Sequence, residues 1–298
     1  MKILRRDEFE NLDAKTFTLI DVLPKEHYGK LHLRGAINIC VYQVTFIDKV
    51  KKLDLPLDTS IILYGDSENE LDAKTAAEKL EKIGFSAVSV LEGALDTYRD
   101  SPLLIGKKEE SDDDQLLKLE DGTYTFTEQS TLQWSGANSN VKHTGHIDLK
   151  YGKIIVKNAK ISGEFVIDMN SIKVTDLNIE EGSKILKAHL SSEDFFLSTL
   201  FPEATYSFKD ILPVKIPYDT AINYILEGSF TLRGLSKPLS VKSIISKSQE
   251  RLILTARVEL DRTKWNVIYG SSKFFKHLGM NKVFDIIVID IRLELRAD

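Results

Sequence analysis

The stretch GKKEESDDDQ at residues 106–115 decides how this chain can fold. It holds a glycine, clustered charge and no large apolar residue, so no hydrophobic core can recruit it. The hydrophobic texture differs on its two sides. Before it, short β-type runs (FTLIDV, AINICVY, SIILY, AVSVL) alternate with amphipathic helical patterns (RDEFENL, AKTAAEKLEKIG). That alternation predicts a parallel sheet covered by helices. After it, period-two runs follow one another with turn residues between them: KIIVKNAKI, GEFVIDM, ATYSFKDI, YILEGSFTLRG, LSVKSII, RLILTARVEL and VFDIIVIDIRLEL. Those predict an antiparallel sandwich or barrel, with a single helix expected around 191–197. The expected organisation is an α/β domain over 1–105, an acidic linker over 106–116 and an all-β domain over 117–298. A chain of 298 residues is long enough for both cores.

Composition removes several classes of function. The net charge is −5, with the negative excess in the first domain and the linker, and neither half carries the basic stripe of a phosphate-backbone binder. Nucleic acid is therefore not an expected partner. No apolar stretch approaches the roughly 20 residues that cross a bilayer, so no integral membrane contact is expected. The segment MKILRRDEFENLD has no apolar signal core, and the single cysteine, Cys40, has no internal partner, so the expected compartment is the cytoplasm. Cys40 ends an apolar run and reads as a buried structural thiol.

In the first half, IILY at 61–64 stops at Gly65, a polar loop follows, and AKTAAEKL opens a helix. Strand, loop and helix in that order is a mount for a nucleophile or an anion, because backbone N–H groups and the helix dipole converge on the loop. Together with LIDV at 19–22, HLRGAINI at 32–39 and VLEGALDTYRD at 90–100, this stretch resembles the rhodanese family over roughly residues 2–105. The resemblance implies sulfur transfer through a cysteine directly after the strand, the thiolate lowered by its loop. Here that position is Gly65, which cannot form a persulfide. The loop Gly65, Asp66, Ser67, Glu68, Asn69, Glu70, Leu71 is accordingly read as vestigial. Its acids, with Asp72, would repel an anion and otherwise serve a solvated helix N-terminus. Leu23, where the family often has arginine, removes another anion contact. Asp21 and His32 are read as structural, and no catalytic residue is assigned.

The second half resembles the YceI-like family, lipocalin-like barrels that bind polyisoprenoids or other long apolar molecules. The resemblance covers roughly residues 123–298 and rests on WSG at 134–136, HTGHIDLKYGKI at 143–154, ISGEFVIDMNSIKVTDL at 161–177, KAHLSSEDFF at 187–196, FPEATYSF at 201–208, GSFTLRGLSKPLSV at 228–241 and LDRTKWNVIYGS at 260–271. Alternation points the same way. Phe165, Ile167 and Met169 share one strand face; Val166 and Asp168 share the other. Tyr206 pairs with Phe208, Phe230 with Leu232, and Ile287, Ile289, Ile291, Leu293 and Leu295 form a stripe. A barrel of about eight strands is either filled by such side chains or holds one small ligand, and periodicity alone leaves both open. The resemblance implies a ligand cavity, to which Phe165, Ile167, Met169, Phe195, Phe196, Tyr206, Phe208, Phe230, Leu232 and Trp265 are assigned.

SSEDFF at 191–196 reads as a helix N-cap, Gly234 and Pro238 as a hairpin turn and the start of the next strand. At least one of Phe274 and Phe275 is expected to plug the barrel end or pack on a partner. Arg233, Arg262 and Lys264 read as solvated cations, with an anionic head group as the alternative role. His143 and His146 fall on opposite faces of a strand, poor geometry for chelation, so no metal and no cofactor are expected. The function expected is sequestration of an isoprenoid or similar long-chain apolar ligand, with the first domain a catalytically dead regulatory or interaction module. A sulfurtransferase and a filled-barrel stress adaptor are the alternatives, and the oligomeric state, a homodimer included, stays open.

Overall fold

The structure is a computed structural model that describes residues 1–67, 71–106, 116–180, 182–248 and 251–298. The chain divides into two compact units, Met1–Asp112 and Asp113–Asp298. The linker expected at 106–116 falls almost entirely outside the described residues.

The first unit opens with β1 (Lys2–Leu4) and α1 (Arg6–Glu10), then β2 (Thr18–Asp21), α2 (Lys25–Lys30), β3 (Leu31–Leu33), β4 (Ile37–Asn38) and α3 (Phe46–Lys51). It continues with β5 (Ile61–Tyr64), α4 (Asp72–Lys82), β6 (Val88–Leu91) and β7 (Leu104–Gly106). Strands β1, β6, β5, β2 and β4 form one parallel sheet in that order, while β3 and β7 make a separate antiparallel pair. Every residue of β5 is buried, which is why IILY has no polar alternation. Ile61 and Leu63 pack into a cluster with Phe46, Val50, Ala76 and Leu80 on one face. Ile62 and Tyr64 pack with Phe9, Leu33 and Tyr98 on the other. The expected α/β sheet, covered on both faces, is the one observed.

The second unit is a closed antiparallel barrel. Its strands are β8 (Gly122–Phe126), β9 (Thr131–Ala137), β10 (Lys142–Lys157), β11 (Lys160–Val174), β12 (Glu203–Ile211), β13 (Tyr224–Leu232), β14 (Leu235–Ser248), β15 (Arg251–Asp261) and β16 (Ile286–Ala297), with helix α5 (Ser183–Ser191) after β11. Strands β11 to β16 follow one another round the wall, and β10 closes it onto β11. The remaining place is shared. β8 pairs with β10 at Lys153–Val156 and with β16 at Leu295–Ala297, whereas β9 pairs with β10 at Lys142–Ile147 and with β16 at Val288–Arg292. The two short strands therefore lie end to end as one interrupted strand, and the ring has eight places.

Three expectations change here. KIIVKNAKI is not one strand: Asn158 and Ala159 both have positive φ, 52° and 60°, and turn β10 into β11. The helix lies at 183–191 rather than 191–197, and Ser192 ends it instead of opening it, its hydroxyl donating to the His189 carbonyl at 2.8 Å. The reason is local: KILKAHL carries the helical apolar spacing, whereas SSEDFF folds back through turns. Finally, the β13–β14 turn is Arg233–Gly234, and Pro238 sits within β14 opposite Ser229. Pro238 is tolerated because β14 pairs with β15 only from Ser243 onward, so no ladder donor is needed at that height.

Candidate functional site

The barrel is hollow at one end. A cavity of about 280 Å³ opens where β9 ends, α5 crosses and β16 begins, and its wall includes Leu132, Ile147, Ile167, Met169, Ile172, Phe230, Leu232 and Leu260, with Leu186, His189 and Leu190 from α5. A second cavity of about 70 Å³ lies deeper, against Leu149, Phe165, Tyr206, Leu226 and Leu254. Leu132, Ile167, Phe230, Leu260 and Ile289 line both, so they form the neck between two chambers.

Why the interior is hollow despite so many aromatics follows from four glycines. A Cβ on Gly145 would lie 2.6 Å from the Trp134 ring, on Gly152 2.4 Å from Phe165, on Gly163 2.5 Å from Phe208, and on Gly228 2.7 Å from Tyr206. Each ring thus lies flat along the wall, over a glycine of a neighbouring strand, instead of pointing at the barrel axis. Tyr206 is pinned there by its hydroxyl, which donates to the carbonyls of Leu226 at 2.7 Å and Leu239 at 3.2 Å. These aromatics bury their area in the wall and leave the centre empty.

Eight of the ten residues assigned from the sequence line one chamber or the other: Ile167, Met169, Phe195, Phe196, Phe230 and Leu232 the outer, Phe165 and Tyr206 the inner, with Ile167 and Phe230 shared. Phe208 and Trp265 do not. Phe208 packs behind Phe165 and Tyr206, with ring centroids at 6.4 and 5.9 Å, because Gly163 admits its ring into the wall. Trp265 is 1% exposed, donates its indole N–H to the Phe230 carbonyl at 3.0 Å and backs the Phe230 ring from outside the chamber. Alternation gives the face of a strand residue but not its height in the barrel. The lining from α5, β9 and the loop before β16 was missed, because those segments meet the chamber through non-local pairing.

Arg262 corrects a second expectation. It is neither solvated nor free for an anion: it is 1% exposed, and its guanidinium donates to four backbone carbonyls, Phe284 at 3.1 Å, Val267 at 2.6 Å, Tyr269 at 2.7 Å and Val283 at 3.1 Å. Burial holds its pKa below the ordinary arginine value. The residue is a strut that ties the segment after β15 to the start of β16, and one side of it lines the outer chamber. Arg233 is likewise engaged, with the Phe195 and Asn266 carbonyls at 2.6 and 3.0 Å. Lys264 is exposed, as expected of a solvated cation. Phe274 and Phe275 plug nothing; they are 54% and 44% exposed. His143 lines the outer chamber and contacts Asp176 at 2.8 Å. Burial raises the Asp176 pKa, but the Thr144 N–H and His143 outweigh it and hold the carboxyl below its usual range.

In the first unit, β5 delivers Gly65 to a pocket of about 60 Å³, walled by Ser67, Asp72, Ala73, Lys74 and Gly93. Asp72 stands at the first turn of α4, is 8% exposed, and accepts a hydrogen bond from the Tyr42 hydroxyl through Oδ1. Its Oδ2 lies 3.1 Å from where a Cβ on Gly65 would be. The loop therefore offers a carboxylate beside the point at which a side chain on residue 65 would begin. Glu68, Asn69 and Glu70 lie outside the described residues. Asp66 faces His27 at 3.5 Å, and Leu71 immediately precedes α4. Asp21 is fully buried, its Oδ1 accepting from the Leu23 N–H at 2.9 Å. His32 stacks on Tyr28 at 4.0 Å, with Nδ1 2.8 Å from the Tyr28 carbonyl. Cys40 is buried and free.

Comparison with known proteins agrees with both halves. Residues 6–101 match the rhodanese-like domain, and residues 124–295 match the YceI-like domain. No curated protein matches the chain. Among solved structures, Burkholderia cenocepacia BcnA is similar at 19% identity, covering 56% of this chain and 96% of that one, with a TM-score of 0.45. A polyisoprenoid binding domain from Saccharophagus degradans, implicated in plant cell wall breakdown, is similar at 13% identity, covering 60% and 100%, with a TM-score of 0.44. The Rhodanese_3 like domain of the Alr3790 protein from Anabaena sp is similar at 24% identity, covering 30% and 98%, with a TM-score of 0.27. With the YceI-like domain matched over more than half of its length and a rhodanese-like domain ahead of it, the chain belongs to the YceI-like family.

Proposed function

We propose that the barrel binds an apolar chain of roughly ten to fifteen carbons, a short isoprenoid or similar lipid, scaling from the ~150 Å³ cavity that accommodates benzene. The observation that carries this reading is the apolar chamber of about 280 Å³ and its narrow continuation of about 70 Å³ past Ile167 and Phe230. Each CH₂ taken from water contributes about 0.8 kcal/mol, so affinity requires few polar contacts. A longer chain would have to open the neck or extend through the mouth. The chambers weigh against the filled-barrel alternative.

The first domain, on the same reading, does not transfer sulfur. Gly65 offers no nucleophile, and the Asp72 carboxylate beside it opposes an anionic donor. We assign this domain a regulatory or interaction role. Mass spectrometry of an organic extract of the purified protein tests the barrel reading. An aliphatic or isoprenoid species in that size range is expected. An extract without lipid, together with no uptake of farnesol by the stripped protein, would overturn it.

A further inference from the structure

The mouth of the barrel differs in character from its other end. The segment from Arg262 to Phe284 contains five cations and no acid. Lys273 is held by Asp261 at 2.9 Å and Asp285 at 3.2 Å, and together with the buried Arg262 it offsets the charge of these two acids flanking the segment. Lys264, Lys276 and Lys282 are exposed. Among them stand large apolar side chains in solvent: Phe274 at 54% exposure, Phe275 at 44%, Met280 at 76% and Phe284 at 49%. Helix α5, which also lines the outer chamber, adds Ile185 at 77% exposure between Lys184 and Lys187 and carries no acid, though Glu180, Glu181, Glu193 and Asp194 flank it in sequence. The opposite end exposes apolar residues too, such as Ile216 and Ile222, but residues 212–222 hold one lysine and one aspartate, so they carry no net charge.

We infer that the mouth, through the 271–284 segment and α5, docks peripherally on an anionic lipid bilayer. Exposed aromatics flanked by lysines with no ion pair among the described residues are what the interface of such a bilayer accepts: rings enter the headgroup–acyl boundary while lysines meet lipid phosphates. The position is apt, because an apolar ligand leaving a bilayer for the chamber avoids water only if the mouth faces the lipid. Charge complementarity selects a bilayer over a second copy of this chain, since two such mouths would set lysines against lysines. The purpose of the surface rests on the ligand reading above; its existence does not.

The test is co-sedimentation of the full chain, stripped of ligand, with vesicles of phosphatidylcholine alone or mixed with phosphatidylglycerol. Binding to the mixed vesicles, weakened by salt, is expected, with little binding to the neutral ones. The double variant K276S/K282S should bind about thirtyfold more weakly, from ~1 kcal/mol per lysine near an anionic surface. F274S/F275S should lose at least about tenfold, and I216S at the other end should bind as the parent does. Melting by tryptophan fluorescence confirms that each variant is folded. Absence of binding to the anionic vesicles, or binding by the lysine and phenylalanine variants as tight as the parent's, overturns the inference. So does a dimer in sedimentation velocity that F274S/F275S dissolves, because the patch would then be a self-interface. A failed lipid extract with intact vesicle binding would sink the ligand reading alone.

Discussion

The loop after β5 and the interior of the barrel each sit in an intact frame, and they diverge. The loop keeps its strand–loop–helix frame, with IILY fully buried and α4 in place, and carries a glycine, Gly65, at the end of the strand. The barrel needs no reacting atom, only a shape, and it keeps that shape by folding its aromatics over glycines. A catalytic site can be lost at one position while the fold around it persists. A cavity is a property of the whole wall and is lost only through packing. On the proposed reading, the frame of the first domain is no guide to its activity, whereas binding in the second depends on the frame itself.

Changes that attack the wall should have the largest effects. Replacing Arg262 with Met leaves four carbonyls at the mouth without a donor, a loss of about 4 kcal/mol. The barrel should melt roughly 10 °C lower. Tryptophan fluorescence reports this selectively, since both tryptophans, Trp134 and Trp265, lie in the barrel. R262K should recover only a minor part, because an ammonium cannot span carbonyls on several sides. Next come the glycines. Gly228→Ala sets a Cβ 2.5 Å from the Ser207 carbonyl oxygen and should cost about 1–3 kcal/mol. The three atoms nearest a Cβ on Gly152 all belong to the movable ring of Phe165, so Gly152→Ala should cost less stability. By swinging that ring into the inner chamber it should shorten the longest chain accepted, as a ligand-length series would reveal.

Smaller effects are expected in the first domain. Burial pushes the Asp21 carboxyl above its ordinary value of 3.8. A raised folded pKa means that the folded state holds the proton more tightly than the unfolded one. The stability this confers is complete below 3.8 and disappears as pH rises through the folded value. Asp21→Asn keeps the acceptor for the Leu23 N–H, so it should raise the melting temperature by a few degrees near neutral pH and by nothing in acid. Gly65→Cys should give no thiosulfate-to-cyanide sulfur transfer, because Asp72 stands beside the new side chain. Measurable turnover would break the contrast between the two regions.

Much of this was legible in the sequence. Period-two alternation fixes which face of β11, β12 and β13 points inward, and Phe165, Ile167, Met169, Phe230 and Leu232 follow it. Height along the barrel does not register in that signal, which is why Phe208 and Trp265 fall outside the chambers. The interrupted strand β8–β9 was unreadable for a related reason: its pairing with β10 and β16 spans long sequence separations. Glu294, outward by alternation, is buried because Thr127 and Ser130, between β8 and β9, bond its backbone and Arg251 covers its carboxylate at 3.1 Å. The burial of Arg262 depends on carbonyls as distant in sequence as Phe284, which no local pattern announces.

The central claim is that the neck between the chambers belongs to a ligand path. Equilibrium dialysis of labelled farnesol against the parent chain, Ile167→Trp and Val166→Thr tests it directly. Ile167 is shared by both chambers, and Val166 points out of the barrel. The account predicts uptake by the parent and by Val166→Thr, and its abolition in Ile167→Trp with the fold retained. Equal uptake by all three proteins would contradict it.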